Sequence, residues 1–511
     1  MKRSDNWLEA MLPFPRPEYA KQTESLLTDL LWRSPGSSLS TAANGDALID
    51  ELPRLKDKGD IAEPKRLVPE QPRGENPKVR STLPIALRID SSSRFSLPLG
   101  AKGPVEPLLR SLFAPQARGD KSIACVPIHP SIVVLQTLHG LVNKESPANL
   151  AEAIECMGWL GGADTDGQVA ARFLRAFQLA PAPAQGTTGA VEWLLTEIAR
   201  HTWESLPAAF AKNLDWPPWP QIGPIDVEPI GASLVASLDI TPFKWFWSKW
   251  ESLTNPDNKW CERLPARRFV DWALCLLRTG LAFSYLWEAE FYCRLHERVV
   301  LRGAVASGSS PDRLVPFLSQ GTPLAVIEPA SIPPSQKGMW PATAELIARG
   351  WKARDLILKQ VKSLEPPEGS SLLEKLENWV DTLPSEEFEE ISAPLQTTPP
   401  MANNQKEFVK YLLLPRASDD DAVDQADFYF LAQTNRSGHA WFRPGPEWLV
   451  VVTGLLCGCP GGATTLGQLL NDLACLGIKA ERSVMLDLLE EAGLSTDSPD
   501  ADNALLIRCG F

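Results

Sequence analysis

Residues 265–300 constrain the fold of this chain most. The run from Phe269 to Trp287 is almost wholly apolar, interrupted by Asp271 and Arg278. Such a run is either a membrane span or the inner helix of a protein core. A mid-helix arginine costs roughly 2.5 to 3.5 kcal/mol on insertion into a bilayer, so a buried core helix fits better and no membrane association is expected. The segment predicts one long helix, or two broken near Gly280. Trp272, Cys275, Leu276, Phe283 and Trp287 fall along one stripe of it. Just upstream, Phe243-Lys-Trp-Phe-Trp-Ser-Lys-Trp250 places aromatic rings all round a helix, which requires burial on more than one face.

A chain of 511 residues exceeds what one hydrophobic core usually serves, so two to four domains are expected. Its 46 prolines call for many helix stops, and its 18 tryptophans for large cores or aromatic interfaces. The expected class is mainly α and multi-domain: a large Trp-rich helical body and a small C-terminal α/β module. The net charge of −13 argues against a protein that coats nucleic acid through its overall field. The nine cysteines form an odd set with no disulfide framework, which points to the reducing cytoplasm. Asp5 and Glu9 interrupt any apolar run at the N-terminus, so no signal peptide is expected.

In chain order, residues 1–33 read as a helical segment with Leu26, Leu27, Leu30 and Leu31 at helical spacing. Residues 34–83 are rich in Ser, Pro, Gly, Lys and Glu and read as a linker or an extended arm. Between residues 54 and 80 stand eight basic residues, Arg54, Lys56, Lys58, Lys65, Arg66, Arg73, Lys78 and Arg80, against five acidic ones. A nucleic-acid-binding arm is one reading and a solvated linker the other. No aromatic residue interleaves the charges to stack on bases, which favours the linker. Residues 84–391 form the helical body, with an internal break near 214–238 or 303–338. Helices are expected at 130–143, 148–160, 167–180, 187–212, 339–363 and 370–391, and a strand at 324–328. Residues 392–404 form a second linker, and 405–511 the C-terminal module. There, 427–433 and 439–442 read as a β-hairpin around Thr434-Asn-Arg-Ser-Gly438.

The stretch from Gly445 to Phe511 reads as helix, turn, helix, turn, helix, then a hairpin. Thr465-Leu-Gly-Gln468 fits a capping box, and Leu466, Leu469, Leu470 and Leu473 give a helical stripe. Val484, Met485, Leu488, Leu489 and Ala492 are expected to face inward, with Gly493 closing the helix. Leu494–Asp497 and Ala504–Arg508 would form the final hairpin. By element order these residues resemble the winged-helix superfamily. The resemblance implies a third helix that commonly enters the DNA major groove. Here that helix would present Glu481, Arg482, Asp487, Glu490 and Glu491 to solvent. From Arg443 to Phe511 there are four Lys/Arg against nine Asp/Glu, a net of −5. Such a surface repels phosphates, so the five residues are read as a protein-docking face.

No motif carries catalysis. The glycine-rich Gly458–Thr465 lacks the Gly-Lys pair of a phosphate-binding loop. Cys457 and Cys459 are candidate metal ligands, but a structural zinc site needs four. The carboxylates at Asp419–Asp421, Asp424 and Asp427 lack the glycine and glutamate of a calcium loop. Cys125, His129 and His439 are the candidates for a nucleophile and base, and none lies in a known signature. No cofactor is expected. The sequence therefore points to a non-catalytic scaffold or adaptor subunit of a bacterial multi-protein complex. Other protein subunits would be its partners, in a system such as DNA handling or anti-phage defence. The alternatives are a nucleic-acid-binding protein using residues 54–80 and the wing, and a hydrolase of unrecognised type.

Overall fold

A computed structural model describes residues 6–16, 26–27, 30, 150–163, 169–170, 172–173, 176, 232–264, 266–302, 314–320, 326–327, 339–363, 365–392, 394–395, 402–415, 427–434, 440–494 and 505–511. Over these residues the protein is mainly helical, with 14 α-helices and few strands. The expected helices at 130–143 and 187–212 and the basic residues of 54–80 lie outside them.

The N-terminal helix α1 (Trp7–Met11) is capped by Asn6, whose side chain accepts from the Glu9 amide at 2.8 Å. It is followed by α2 (Leu150–Leu160) and the short α3 (Ala232–Ala236). The aromatic helix α4 (Pro242–Thr254) starts as its sequence dictates, with Pro242 in the first turn and Thr241 capping the Lys244 amide. Phe243, Trp245, Phe246, Trp247 and Trp250 are all buried, as a helix ringed by aromatics requires. A short α5 (Trp260–Arg263) then leads into α6 (Ala266–Arg302).

Helix α6 is the axis of the molecule. It runs unbroken for 37 residues, about 55 Å at 1.5 Å per residue. It contains no proline, and Gly280 does not interrupt it. By length and composition it could cross a membrane, yet its most apolar window is wholly buried inside the protein. Among the described residues, other helices cover it. The helices α7 (Leu314–Gln320), α8 (Met339–Gln360), α9 (Leu372–Thr382), α10 (Ser385–Ser392) and α11 (Asn403–Leu413) all contact it, as do α2, α4 and α5. Helix α8 makes the longest interface with it. The segment expected as one or two helices over 370–391 is two, parted at Leu383-Pro384.

Arg278, Arg298 and Arg302 show how charges in α6 are met. Arg278 is buried and pairs with Asp427 at 2.8 Å; its Nε donates to the Leu412 carbonyl at 3.0 Å, and Nη2 to that of Leu414. One side chain thus ties α6 to the end of α11 and to the segment that follows. Near the far end, Arg298 donates to Glu377 at 2.6 Å, and Arg302 to the carbonyls of Leu383 and Asp381. These fix α9 and complement the negative end of its dipole.

After α11 comes the expected hairpin, β2 (Ala432–Thr434) with β3 (Ala440–Phe442), antiparallel and in the register Gln433 to Trp441. Then follow α12 (Pro446–Leu456), β4 (Ala463–Thr465), α13 (Leu466–Cys475), β5 (Lys479–Ala480), α14 (Arg482–Glu491) and β6 (Leu506–Arg508). The capping box is formed: Thr465 accepts from the Gln468 amide at 3.2 Å, and Gln468 from the Thr465 amide at 3.0 Å. β6 pairs antiparallel with β4, Thr464 opposite Ile507. The other arm of the expected final hairpin, 495–497, lies outside the described residues. β5, expected only as a connection into the third helix, pairs parallel with β1 (Val326–Ile327) far upstream.

The buried apolar side chains form one contiguous cluster from Trp7 to Ile507. The region after residue 440 is bound into it by polar bonds as well. Lys249 pairs with Asp472 at 2.7 Å, Trp245 donates to the same carboxylate at 2.9 Å, and Trp448 donates to Thr279 at 3.0 Å.

Candidate functional site

Helix α14 carries the residues that the sequence marks as a docking face. Val484, Met485, Leu488 and Leu489 are buried against the rest of the module, while Glu481, Arg482, Asp487, Glu490 and Glu491 are exposed. Its C-terminal end is closed by paired bonds: the Leu494 amide donates to Leu489 and the Gly493 amide to Glu490, both at 2.9 Å. Gly493 has φ of +70°, the left-handed conformation this closure requires, and Leu494 is buried, as is Leu489. The same pattern closes α13 at Gly477.

The charges on this face are not placed for helix stability. Glu481 stands before the first turn, where a carboxylate is favoured. Glu490 and Glu491 stand in the last turn, where each negative charge opposes the dipole at a cost of roughly 0.3–1 kcal/mol. Glu491 is partly compensated by Arg443 at the end of β3, 3.2 Å away. Asp487 and Glu490 are exposed on the same helix.

The candidate metal ligands Cys457 and Cys459 lie in the turn after α12. Cys457 is half-buried and Cys459 exposed. Burial and the neighbouring thiols Cys509 and Cys459 push the Cys457 thiol up to about 11. Among the described residues no three His, Cys, Asp or Glu side chains converge to hold a metal ion. Cys125, His129 and His439 lie outside the described residues, as do the acidic positions 419–424. Asp427 belongs to the Arg278 pair.

Two polar sites inside the helical body are not marked by any sequence motif. The first is a pocket of about 260 Å³ between α6 and α8, walled by Glu290, Cys293, Arg294, Glu297, Glu345 and Arg349. Its arginines are already engaged: Arg294 with Glu290 at 2.7 Å and Glu297 at 3.4 Å, Arg349 with Glu297 at 3.6 Å. Burial pushes the Cys293 thiol up to about 12, which leaves it protonated and a poor nucleophile. The second is Glu288, a fully buried carboxyl whose Oε1 accepts from Arg354 Nε at 3.1 Å. Burial raises it to about 7, an effect that the adjacent Arg354 only partly offsets. The one signal for it in the sequence is a glutamate directly after the apolar run Phe269–Trp287 of the core helix. Its partner Arg354 is 66 residues away and could not be assigned from spacing.

No protein-family model, curated protein or solved structure matches the chain.

Proposed function

We propose that the protein is a non-catalytic scaffold or adaptor subunit that docks a basic protein partner on the outer face of α14. The observation that carries the reading is the outward set Glu481, Asp487, Glu490 and Glu491 on a helix anchored by four buried apolar side chains. Two of those carboxylates oppose the helix dipole, a cost that folding of the helix does not explain. The element order α12, β4, α13, α14, β6, with β4 and β6 antiparallel, supports reading residues 446–511 as a winged-helix-like module. In this reading 84–391 is the body and 405–511 the docking module of a multi-domain chain. The acidic face disfavours direct contact with phosphates, so any nucleic acid is reached through the partner. A bacterial complex that handles DNA or resists phage is the setting that the winged-helix likeness suggests by analogy.

The test is charge reversal that leaves the Arg443–Glu491 pair intact. Asp487→Lys with Glu490→Lys is compared with the wild type by tagged recovery from the native host. Loss of co-purifying subunits with unchanged near-ultraviolet circular dichroism supports the reading. Recovery of the wild type as a lone monomer, or unchanged assembly of the variant, overturns it.

A further inference from the structure

Beneath the N-terminal segment the fold encloses a strip of polar atoms that the docking role does not use. Glu288 Oε2 and Ser284 Oγ are buried, and neither has a hydrogen-bond partner among the described residues; Tyr292 OH is buried on the same helix, with Arg354 beside it. Side chains four apart on a helix lie about 5–6 Å from one another, so these three line one face of α6. Residues 6–16 reach this strip through Arg354 and Tyr285, and we read them as its cover. Trp7, Leu8, Met11, Leu12 and Phe14 of that segment are buried, and its backbone is held at several points. The Trp7 amide donates to the Ser363 carbonyl at 3.0 Å, Tyr285 OH to Pro15 at 2.9 Å, and Arg354 Nη2 to Phe14 at 3.4 Å. Arg354 therefore grips the Glu288 carboxyl with one nitrogen and the cover with another.

The charged and titratable groups around Glu288 come from every wall. Arg354 and Asp355 are on α8, with Asp355 paired to Arg16 of the cover. Glu9 of α1 stands 3.9 Å from Arg354. Tyr285 and Tyr292 are on α6, and Glu152 and Cys156 of α2 act on Tyr285. We infer that Glu288 is the proton-binding catch of a clasp: the neutral carboxyl lets residues 6–16 seat on α6 and α8, and its ionisation loosens that segment.

The direction follows from solvation. When the proton leaves to solvent, a buried carboxylate with one unpartnered oxygen must be reached by water or pay a large desolvation cost. Helices α6 and α8 are locked along their mutual interface. The cover is a five-residue helix and a short extended piece, so water enters most cheaply by lifting it. Arg354, drawn more strongly to the ionised carboxylate, also weakens its already long bond to Phe14.

Hydrogen exchange of the full chain at about pH 6 and about pH 8, corrected for intrinsic rates, tests this. The Trp7, Ala10 and Leu12 amides are expected to exchange about tenfold or more faster at the higher pH, while α6 amides keep their protection. Glu288→Gln, a neutral side chain of the same size, should abolish the difference. Unchanged protection of residues 7–12 in the wild type, or the same response in Glu288→Gln, overturns the inference. If the variant does not fold, the Glu288 carboxyl carbon is titrated by NMR in the wild type. A midpoint near 7 supports the inference, and one at the ordinary carboxylate value overturns it.

Discussion

Arg278 sits inside a buried helix because each of its three nitrogens has an acceptor. Asp427 neutralises it, and two carbonyls at the end of α11 take the rest of the fork. Replacing such a pair by apolar residues can be neutral, but removing one member strands a buried charge. Arg278→Ala is therefore expected to lower stability by roughly 3–5 kcal/mol, read as a shift of the urea midpoint at constant slope. Glu288 gives the second expectation at this scale. Its folded-state value, about 7, lies above its ordinary 4.5. Between those limits the folded chain holds a proton that the unfolded chain has released. Stability from this group is thus present at low pH and is lost as pH rises through that window. The loss is on the order of 3 kcal/mol at most. Urea unfolding of the wild type across the window should show this decline, and Glu288→Gln should flatten it. At this scale the sequence was half legible. A charge inside an apolar stripe is visible as an anomaly, and Arg278 was noted for that reason. Its partner is visible only when the chain folds back, because Asp427 is 149 residues away.

At the scale of elements, strong local signals carried over to the fold. The capping box at Thr465 and the closure at Gly493 are formed as cap chemistry dictates, and of the two readings of 265–300, one helix or two broken near Gly280, the unbroken helix is the one formed. The hairpin of β2 and β3 is formed as well. The elements that could not be read are those whose cause lies elsewhere in the chain. β5 is two residues long and exists because β1 is beside it. The close approach of α6 and α8 was equally hidden, and it rests on one glycine. A Cβ on Gly350 would lie 2.4 Å from the Ala289 carbonyl oxygen and 2.5 Å from its Cα. Backbone atoms in a packed helix cannot retreat, so Gly350→Ala must push the two helices apart. A Cβ on Gly280 would instead meet the Met157 sulfur and the Phe246 side chain at 2.8 Å, and the flexible Met157 can move. Gly350→Ala is expected to cost about 3 kcal/mol and Gly280→Ala clearly less, both within the range for overpacked interiors. Denaturant titration of the two variants side by side measures the difference; equal costs would mean that the α6–α8 contact is not held so close.

Across the whole molecule, the connections to the C-terminal region decide how the chain responds to stress. The division of α14 into an exposed acidic face and a buried apolar one was legible because it needs only helical period and charge. How that module joins the body was not, since the joints are single contacts between distant residues. Trp260 donates to the Gly458 carbonyl at 3.1 Å, and Lys249 meets Asp472. The ring of the last residue, Phe511, stands edge-on to Trp272 at 5.4 Å, with Arg268 over its face. These bonds and the contiguous apolar cluster place Trp272, Trp448 and Ile507 in one interior. Separating these residues would expose the rings of Trp260 and Trp272 that pack on Gly454, and part Lys249 from its carboxylate. A stepwise loss of the module is therefore disfavoured. Urea unfolding followed by tryptophan fluorescence and by far-ultraviolet circular dichroism is expected to give coincident single transitions. Asp472→Asn, which weakens the Lys249 joint and keeps the Trp245 acceptor, should shift both probes together. A variant in which the two probes part would locate the weak seam between α4 and α13 and show that the module can leave the body on its own.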